Sequence, residues 1–393
     1  MVKSGLDRLI NEKNWQDQCG QNIGYLCHAA SIDGQLQHGV FGLKKIFGER
    51  LKCLFSPQHG MVGNVQDNMV ETNHSIHPYF KLKIYSLYSE TRIPTDEMLK
   101  GLDTVIVDLQ DVGTRIYTYI YTMTLMMKKA QELGIKVVIL DRPNPINGED
   151  IEGNILDMKF ASFVGLHELP VRHAMTMGEV AMMANKFWQK PCDLVVVPMH
   201  GWKREMSFED TKLPWVLPSP NLATVEAAYT FVGTVLYEGC NVSEGRGTTR
   251  SLEIVGHPKI EAFSWLDQIA PTLREFEIEG CVLRPIIFRP TFQKHAGVDC
   301  GGFQIHVTDR KKFRPWRLCQ VLMREFIHTL GSDFKWKEPP YEYEWEMMAV
   351  DMINGTDELR HWYLKRGSFA ELNHIEQKNQ QDFRQKRQSI LIY

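Results

Sequence analysis

The sequence predicts an α/β fold: a doubly wound, mostly parallel sheet followed by a second, smaller α+β C-terminal domain. Three observations carry this reading. Apolar runs such as VIV at 105–107 and VVIL at 137–140 lack the alternation of a half-exposed strand, so both faces of those strands are covered. Stretches with helical spacing separate these runs through the first 200 residues, giving strands and helices in alternation. Past Pro214 the texture changes, beginning with LPWVLPSPN, which is too rich in proline for regular structure.

Taken in order, strands are expected at 23–27, 51–55, 84–87, 104–109, 136–140 and 194–198, and helices at 38–47, 95–102 and 117–133. Gly134 is expected as the left-handed residue that ends the last of these. A helix at 224–236 follows the proline-rich loop, then strands at 286–288 and 303–307 and helices at 316–330, 357–365 and from 368 onwards. The division falls near residue 235, giving an α/β domain over 1–235 and an α+β domain over 236–393 that contributes to the cleft. A chain of 393 residues suits two domains.

Composition excludes several classes. With 45 Lys+Arg against 48 Asp+Glu, the chain lacks the basic surplus of a nucleic-acid binder. The basic run Arg384, Lys386, Arg387 reads as a solvated helix face. No apolar run approaches the roughly 18 residues of a membrane span. Residues 1–10 carry Lys3, Asp7 and Arg8 and no apolar core of a signal peptide, so a cytoplasmic location is expected, with a periplasmic or secreted one as the alternative. The eight cysteines form no CxxC pair and are expected as free thiols.

Polar residues gather where strands end. The second strand runs into SPQHG (Ser56–Gly60 in number 56–60), TVIVDL into Gln110-Asp111-Val112-Gly113-Thr114-Arg115, and KVVIL into Asp141-Arg142-Pro143-Asn144-Pro145. Ligands of open α/β sheets bind outside the carboxyl ends of the strands, so these clusters are expected to converge on one crevice. The alternative for each is structural, because Asp and Asn cap helices and Pro and Gly shape turns. A fourth cluster, EGCNVSEGRGTT from Glu238, has glycines at 245 and 247 that permit tight bending and leave Glu244 and Arg246 projecting from a constrained loop. A salt-bridged structural loop is the other reading. It lacks the third glycine of a dinucleotide fingerprint.

Other candidates divide similarly. Glu179, three residues after Thr176, fits a capping box. His74 and His77 have neither an HExxH frame nor a third ligand, so no metal site is expected. Tyr117, Tyr119 and Tyr121 head a helix whose first turn can line the crevice. His173 and His295 stay open between structural and ligand-facing roles. Neither a GxSxG elbow nor a Walker loop is present.

At QDVGTRIYTYIYTM, LDRPNPING, 170–179, LPSPN, EGCNVSEGRGTT and YEYEWE…DMINGT the chain resembles the NamZ-like exo-β-N-acetylmuramidases, formerly a domain of unknown function. The resemblance spans residues 4–393. It implies a Rossmann-like N-terminal domain with a smaller C-terminal one, no cofactor, and removal of N-acetylmuramic acid from the non-reducing end of peptidoglycan-derived glycans in cell-wall turnover or recycling. The family usually reads SPEHG, whereas this chain reads SPQHG, so Gln58 replaces a leading candidate for the catalytic acid. An amide cannot protonate a leaving oxygen as a carboxylic acid does. Ala174 also stands where glycine is expected, and Ser207 where an aromatic residue is common.

Glycoside hydrolysis commonly uses two carboxyl groups, and 2-acetamido sugars can recruit their own acetamide in place of one. The expected catalytic set is therefore Glu244 or Asp111 as the essential carboxylate, with Gln58 and His59 holding the sugar. Asp108 and Glu71 are further acids near the expected crevice. The lactyl carboxylate of muramic acid calls for a guanidinium, from Arg115, Arg142 or Arg246. Gln110, Tyr117, Asn144, His173, Asn241 and His295 complete the substrate-binding expectation, with Asp108 among them. Two alternatives stay open: a muropeptide- or sugar-binding relative that has lost the chemistry, and an α/β hydrolase or transferase acting on another glycoside.

Overall fold

Seven strands form the central sheet: β1 (Ile23–Cys27), β2 (Leu51–Ser56), β3 (Ser75–Ile76), β4 (Lys83–Ser86), β5 (Thr104–Asp108), β6 (Lys136–Leu140) and, after a two-stranded antiparallel hairpin of β7 (Glu152–Ile155) and β8 (Pro170–Arg172), β9 (Leu194–Val197). The computed structural model describes residues 1–66 and 69–393. The sheet order is β3-β4-β2-β1-β5-β6-β9, parallel throughout except for the short edge strand β3. From β1 the chain steps outward through β2 and β4, then returns across β1 to β5, β6 and β9. The direction of winding therefore reverses between β1 and β5, which is where such sheets open a crevice at their carboxyl ends.

The unalternated runs behave as their pattern requires. Every residue of β1 and β5 is buried, because helices cover both faces of the sheet. The helix Tyr119–Leu133 ends on Gly134 at φ +67, the left-handed residue expected there, where a side chain would be strained. The Thr176–Glu179 capping box is present at the start of the helix Met177–Met183. Helices that the apolar pattern did not reveal lie at Gly5–Asn11 and Ala262–Glu275. The second is half-exposed and carries Pro271, which interrupts the sequence signal.

Beyond the helix Val225–Thr234, a three-stranded antiparallel sheet of β10 (Ile254–His257), β11 (Cys281–Phe288) and β12 (Cys300–Val307) runs in the order β10-β12-β11. Trp265 stacks flat on Phe303, 5.0 Å between ring centres, and so anchors the helix Ala262–Glu275 to this sheet. The larger hydrophobic cluster is continuous from Phe55 and Val107 in the central sheet to Trp316, Trp362 and Phe383 in the C-terminal helices. All eight cysteines are free.

The C-terminal run differs from the solvated face expected. Lys386 does pair with Asp382 at the surface, 2.8 Å apart. Arg387, however, is buried and donates to the carbonyls of Ala174 and Gly148. Charge density in a sequence does not say which arginine faces inward, since a long side chain can reach a buried carbonyl. The Tyr393 hydroxyl then closes the clasp on Asp141 at 2.7 Å.

Candidate active site

A pocket lies over the carboxyl ends of β2 and β5, roofed by loops from the second half of the chain. Gln58 and His59 enter it directly after β2, and Tyr117 and Thr118 from the turn ahead of the helix Tyr119–Leu133. Ser219 and Asn221 come from the proline-rich loop, Glu238 from the turn after the helix Val225–Thr234, Arg246 from the glycine loop, and Tyr341 and Glu342 from near the C-terminus.

Among the described residues, two carboxyl groups, Glu238 and Glu342, line this pocket, and both are more than nine-tenths buried. Arg246 donates to Glu238 at 2.6 Å, and the Tyr341 hydroxyl donates to its other oxygen at 2.7 Å. Glu342 accepts from the Tyr88 hydroxyl at 2.8 Å and is hydrogen-bonded by the Gln58 side chain. Burial, reinforced by the charge of Glu238, raises the Glu342 carboxyl above the usual range despite those donors. The Gln58 carbonyl takes the Thr118 hydroxyl at 2.8 Å, which leaves its N–H groups for Glu342. His59 is driven down to about 4 by burial, so its ring is neutral at pH 7. The Tyr117 hydroxyl is buried beside Tyr119 and Ser219 without a well-aligned hydrogen-bond partner.

Arg246 is itself held from behind. Its Nε lies 3.1 Å from Glu244, whose other oxygen takes the Lys294 ammonium at 2.6 Å. Burial alone would lift the Glu244 carboxyl, but Lys294 and Arg246 outweigh it and hold the group below its ordinary value. Gly247, at φ +81, brings the loop so close to Phe292 that an added Cβ would meet its carbonyl oxygen at 2.6 Å. The loop is therefore a rigid mount that carries Arg246 to Glu238.

Of the expected site residues, the structure brings Gln58, His59, Tyr117 and Arg246 to this pocket and places the others elsewhere. The three strand-end clusters do not share one hollow. Asp108 and Arg142 form a buried ion pair, Nε to Oδ1 at 2.5 Å, with the Tyr25 hydroxyl on the same carboxylate. Arg142 and Gln110 border a separate hollow beside Trp215. Gln110 donates to the carbonyls of Asp111 and Pro143, and Asn144 bridges Met175 and Ile146. Asp111 accepts from the Gly113 N–H at 2.7 Å and lies 3.2 Å from His173, both fully enclosed. Arg115 donates to four carbonyls, of Asn154, Leu169, Ile353 and Asn354, at 2.8–3.0 Å. Asn241 donates to Asp333, and His295 bonds the Asn241 carbonyl at 2.6 Å. Glu244 sits behind Arg246, outside the pocket lining. Glu71 is half-exposed, 3.7 Å from Arg92. His74 and His77 accept backbone N–H groups of Ser86 and of Tyr79 and Phe80.

Two features were not singled out by the sequence. Glu238 and Glu342 stood inside quoted motifs, but neighbouring acids of equal standing surrounded each, and nothing local distinguishes Glu342 from Glu344 or Glu346. His28, outside the pocket lining, is the second: its Nε2 accepts from the Gln110 N–H and its Nδ1 faces the Pro218 carbonyl. Burial drives it to about 3, in keeping with one neutral tautomer that ties β1 to the proline-rich loop. Ala174 takes φ +52, a conformation glycine adopts more readily, which accounts for the glycine expected there.

A doubly wound α/β scaffold with a paired-carboxylate pocket at its switch point is the arrangement of an enzyme acting on a small polar substrate. The chain belongs to the exo-β-N-acetylmuramidase NamZ family: its N-terminal model matches residues 23–226 and its C-terminal model residues 229–393. It is 40% identical over 395 residues to a peptidoglycan β-N-acetylmuramidase NamZ from Bacillus subtilis (strain 168), covering 100% of this chain and 91% of that protein. Crystal structures of two DUF1343 family proteins from Bacteroides fragilis superpose with TM-scores of 0.88 and 0.74, at 28% and 26% identity, each covering 100% of this chain and 99% of the other.

Proposed function

We propose that this protein is a glycosidase that releases N-acetylmuramic acid from the non-reducing end of peptidoglycan-derived glycans, serving cell-wall turnover or recycling. The observation that carries the reading is the pocket itself, where two buried carboxyl groups, Glu238 and Glu342, meet the sugar-compatible hydroxyl and amide groups of Tyr117 and Gln58. Membership of the muramidase family over the full chain supports the same chemistry. Gln58, His59, Tyr117 and Arg246 are the residues we assign to holding the muramyl ring. Among the three arginines considered for the lactyl carboxylate, only Arg246 reaches the pocket.

The replacement of a family glutamate by Gln58 does not empty the site of acid, because Gln58 hydrogen-bonds Glu342. The reading as a relative that binds without turnover has no support in the comparisons. Incubation with a disaccharide of N-acetylmuramic acid β-linked to N-acetylglucosamine, followed by mass spectrometry, is the test. Free N-acetylmuramic acid is the expected product. Saturable binding with no release would instead establish the sugar-binding alternative.

A further inference from the structure

We infer that Glu342 is the proton donor to the leaving oxygen, and that Glu238, paired with Arg246, is the carboxylate that stabilises positive charge at the anomeric centre. This rests on the glycosidase reading and assigns the division of labour within its pocket. The two carboxyl groups share one hollow but not one environment. Glu238 has a guanidinium at 2.6 Å. Glu342 has a phenol and an amide, and among the described residues no cation makes a hydrogen bond to it.

The charged and titratable groups around Glu342 come from four directions. Glu238 faces it from the turn after the helix Val225–Thr234, with Arg246 on the far side of that carboxylate. Tyr88 and Arg92 approach from the loop after β4; the Arg92 charge partly offsets the rise of Glu342, while its guanidinium lies over the rings of Tyr88 and Tyr343, 4.2 and 4.0 Å from their centres, and 3.7 Å from Glu71. His59 lines the pocket after β2, and Tyr341 and Tyr343 flank Glu342 in its own loop. A buried carboxyl beside a second carboxylate, with neutral hydrogen-bond donors of its own, is disposed to retain its proton. Pairs whose environments diverge in this way divide into an acid and a charged partner.

Backbone conformation supplies an independent observation. Glu342 and Tyr343 are consecutive non-glycine residues at φ +46 and +67, a region that costs such residues energy and persists where packing imposes it. The loop is thus held in the conformation that delivers the Glu342 side chain to the pocket. Gln58, clamped by Thr118, fixes that carboxyl from the other side, so an acid at position 58 is not needed.

In the overall reaction the Glu342 proton passes to the bridging oxygen as the bond from C1 breaks and its electron pair goes to that oxygen. The aglycone departs as an alcohol. A water oxygen becomes bonded to C1, and the proton that it releases restores the Glu342 carboxylic acid, so one water is consumed per bond cleaved.

The experiment compares Glu342→Gln with the natural protein on the muramyl disaccharide and on a 2,4-dinitrophenyl muramide, whose leaving group departs without a proton. The expected result is a loss of roughly 10²–10⁴-fold on the disaccharide and less than about tenfold on the aryl glycoside, with the basic limb of the pH–rate profile abolished. Tyr88→Phe removes a hydrogen bond to the charged form of Glu342 and should move that basic limb to higher pH. Equal losses on both substrates, or Glu342→Gln activity within about threefold of the natural protein on the disaccharide, would overturn the assignment while leaving the glycosidase reading intact. If Glu342→Gln does not fold, an unmoved basic limb in Tyr88→Phe overturns it alone. Failure of the natural protein to release N-acetylmuramic acid from either substrate would remove the glycosidase reading and this inference with it.

Discussion

The cluster of Asp108, Asp111, Arg115, Arg142 and His173 and the cluster of Gln58, Glu238, Arg246 and Glu342 are built from similar kinds of residue, and both are buried. They differ in what their polar atoms meet. In the first, guanidiniums and carboxylates bind one another and the main chain: Arg115 holds four carbonyls across the junction with the helix Ala349–Asn354, and Arg142 is locked onto Asp108. In the second, the groups border an open pocket and include a carboxyl raised by burial and a like charge. Access to an open pocket, rather than residue type, separates a structural knot from a reactive site.

Substitutions can break that contrast, and the largest effect belongs to the knot. Arg115→Ala strands four buried carbonyls and leaves a cavity, so a loss of about 5 kcal/mol or more is expected, read as failure to give a cooperative urea transition. Asp108→Asn leaves Arg142 buried without its counter-charge, and should lower the urea midpoint by an amount equivalent to about 3–5 kcal/mol.

In the pocket the ranking of stability against activity should invert. Glu238→Gln leaves Arg246 its second partner Glu244, so a stability loss of about 1–2 kcal/mol should accompany a fall in turnover of about 10²-fold or more, measured on the disaccharide. Retention of full turnover would show that Glu238 belongs with the knot. Gln58→Glu sets another carboxyl against Glu342, and the basic limb of the pH–rate profile should rise by about one unit, equivalent to about 1.4 kcal/mol.

A last comparison tests burial without a pocket. Burial, with Glu376 nearby, lifts Glu152 to about 8 from an ordinary 4.5. The folded protein therefore keeps this proton where the unfolded chain has lost it. The resulting stabilisation is complete below pH 4.5 and disappears as pH rises through 8. Glu152→Gln, neutral throughout, should flatten that decline in thermal melts while leaving turnover unchanged.

Most of the central sheet was legible because covered strands need uninterrupted apolar runs and helix ends need caps, both of which are local. β1, β2, β5, β6 and β9 fall at the expected places, as does Gly134. β10 and the helix Ala262–Glu275 were missed, since GH closes a four-residue strand and Pro271 breaks the helical pattern. The site was partly legible: SPQHG and the glycine loop reach the pocket, as expected of strand-end and constrained-loop residues. Asp111, Arg142 and Asn144 carried the same local signal but turn inward, because their partners lie far away in the chain.

The sequence by itself determined the layered architecture, the family, and a short roster of polar segments from which any site had to be drawn. It did so because hydrophobic period, capping and turn chemistry act over a few residues. Only the tertiary structure decided that Glu238 and Glu342, 104 positions apart, face one hollow while Asp108 and Arg142 neutralise each other. Whether a charge is matched or waiting depends on neighbours in space, and folding alone assembles those.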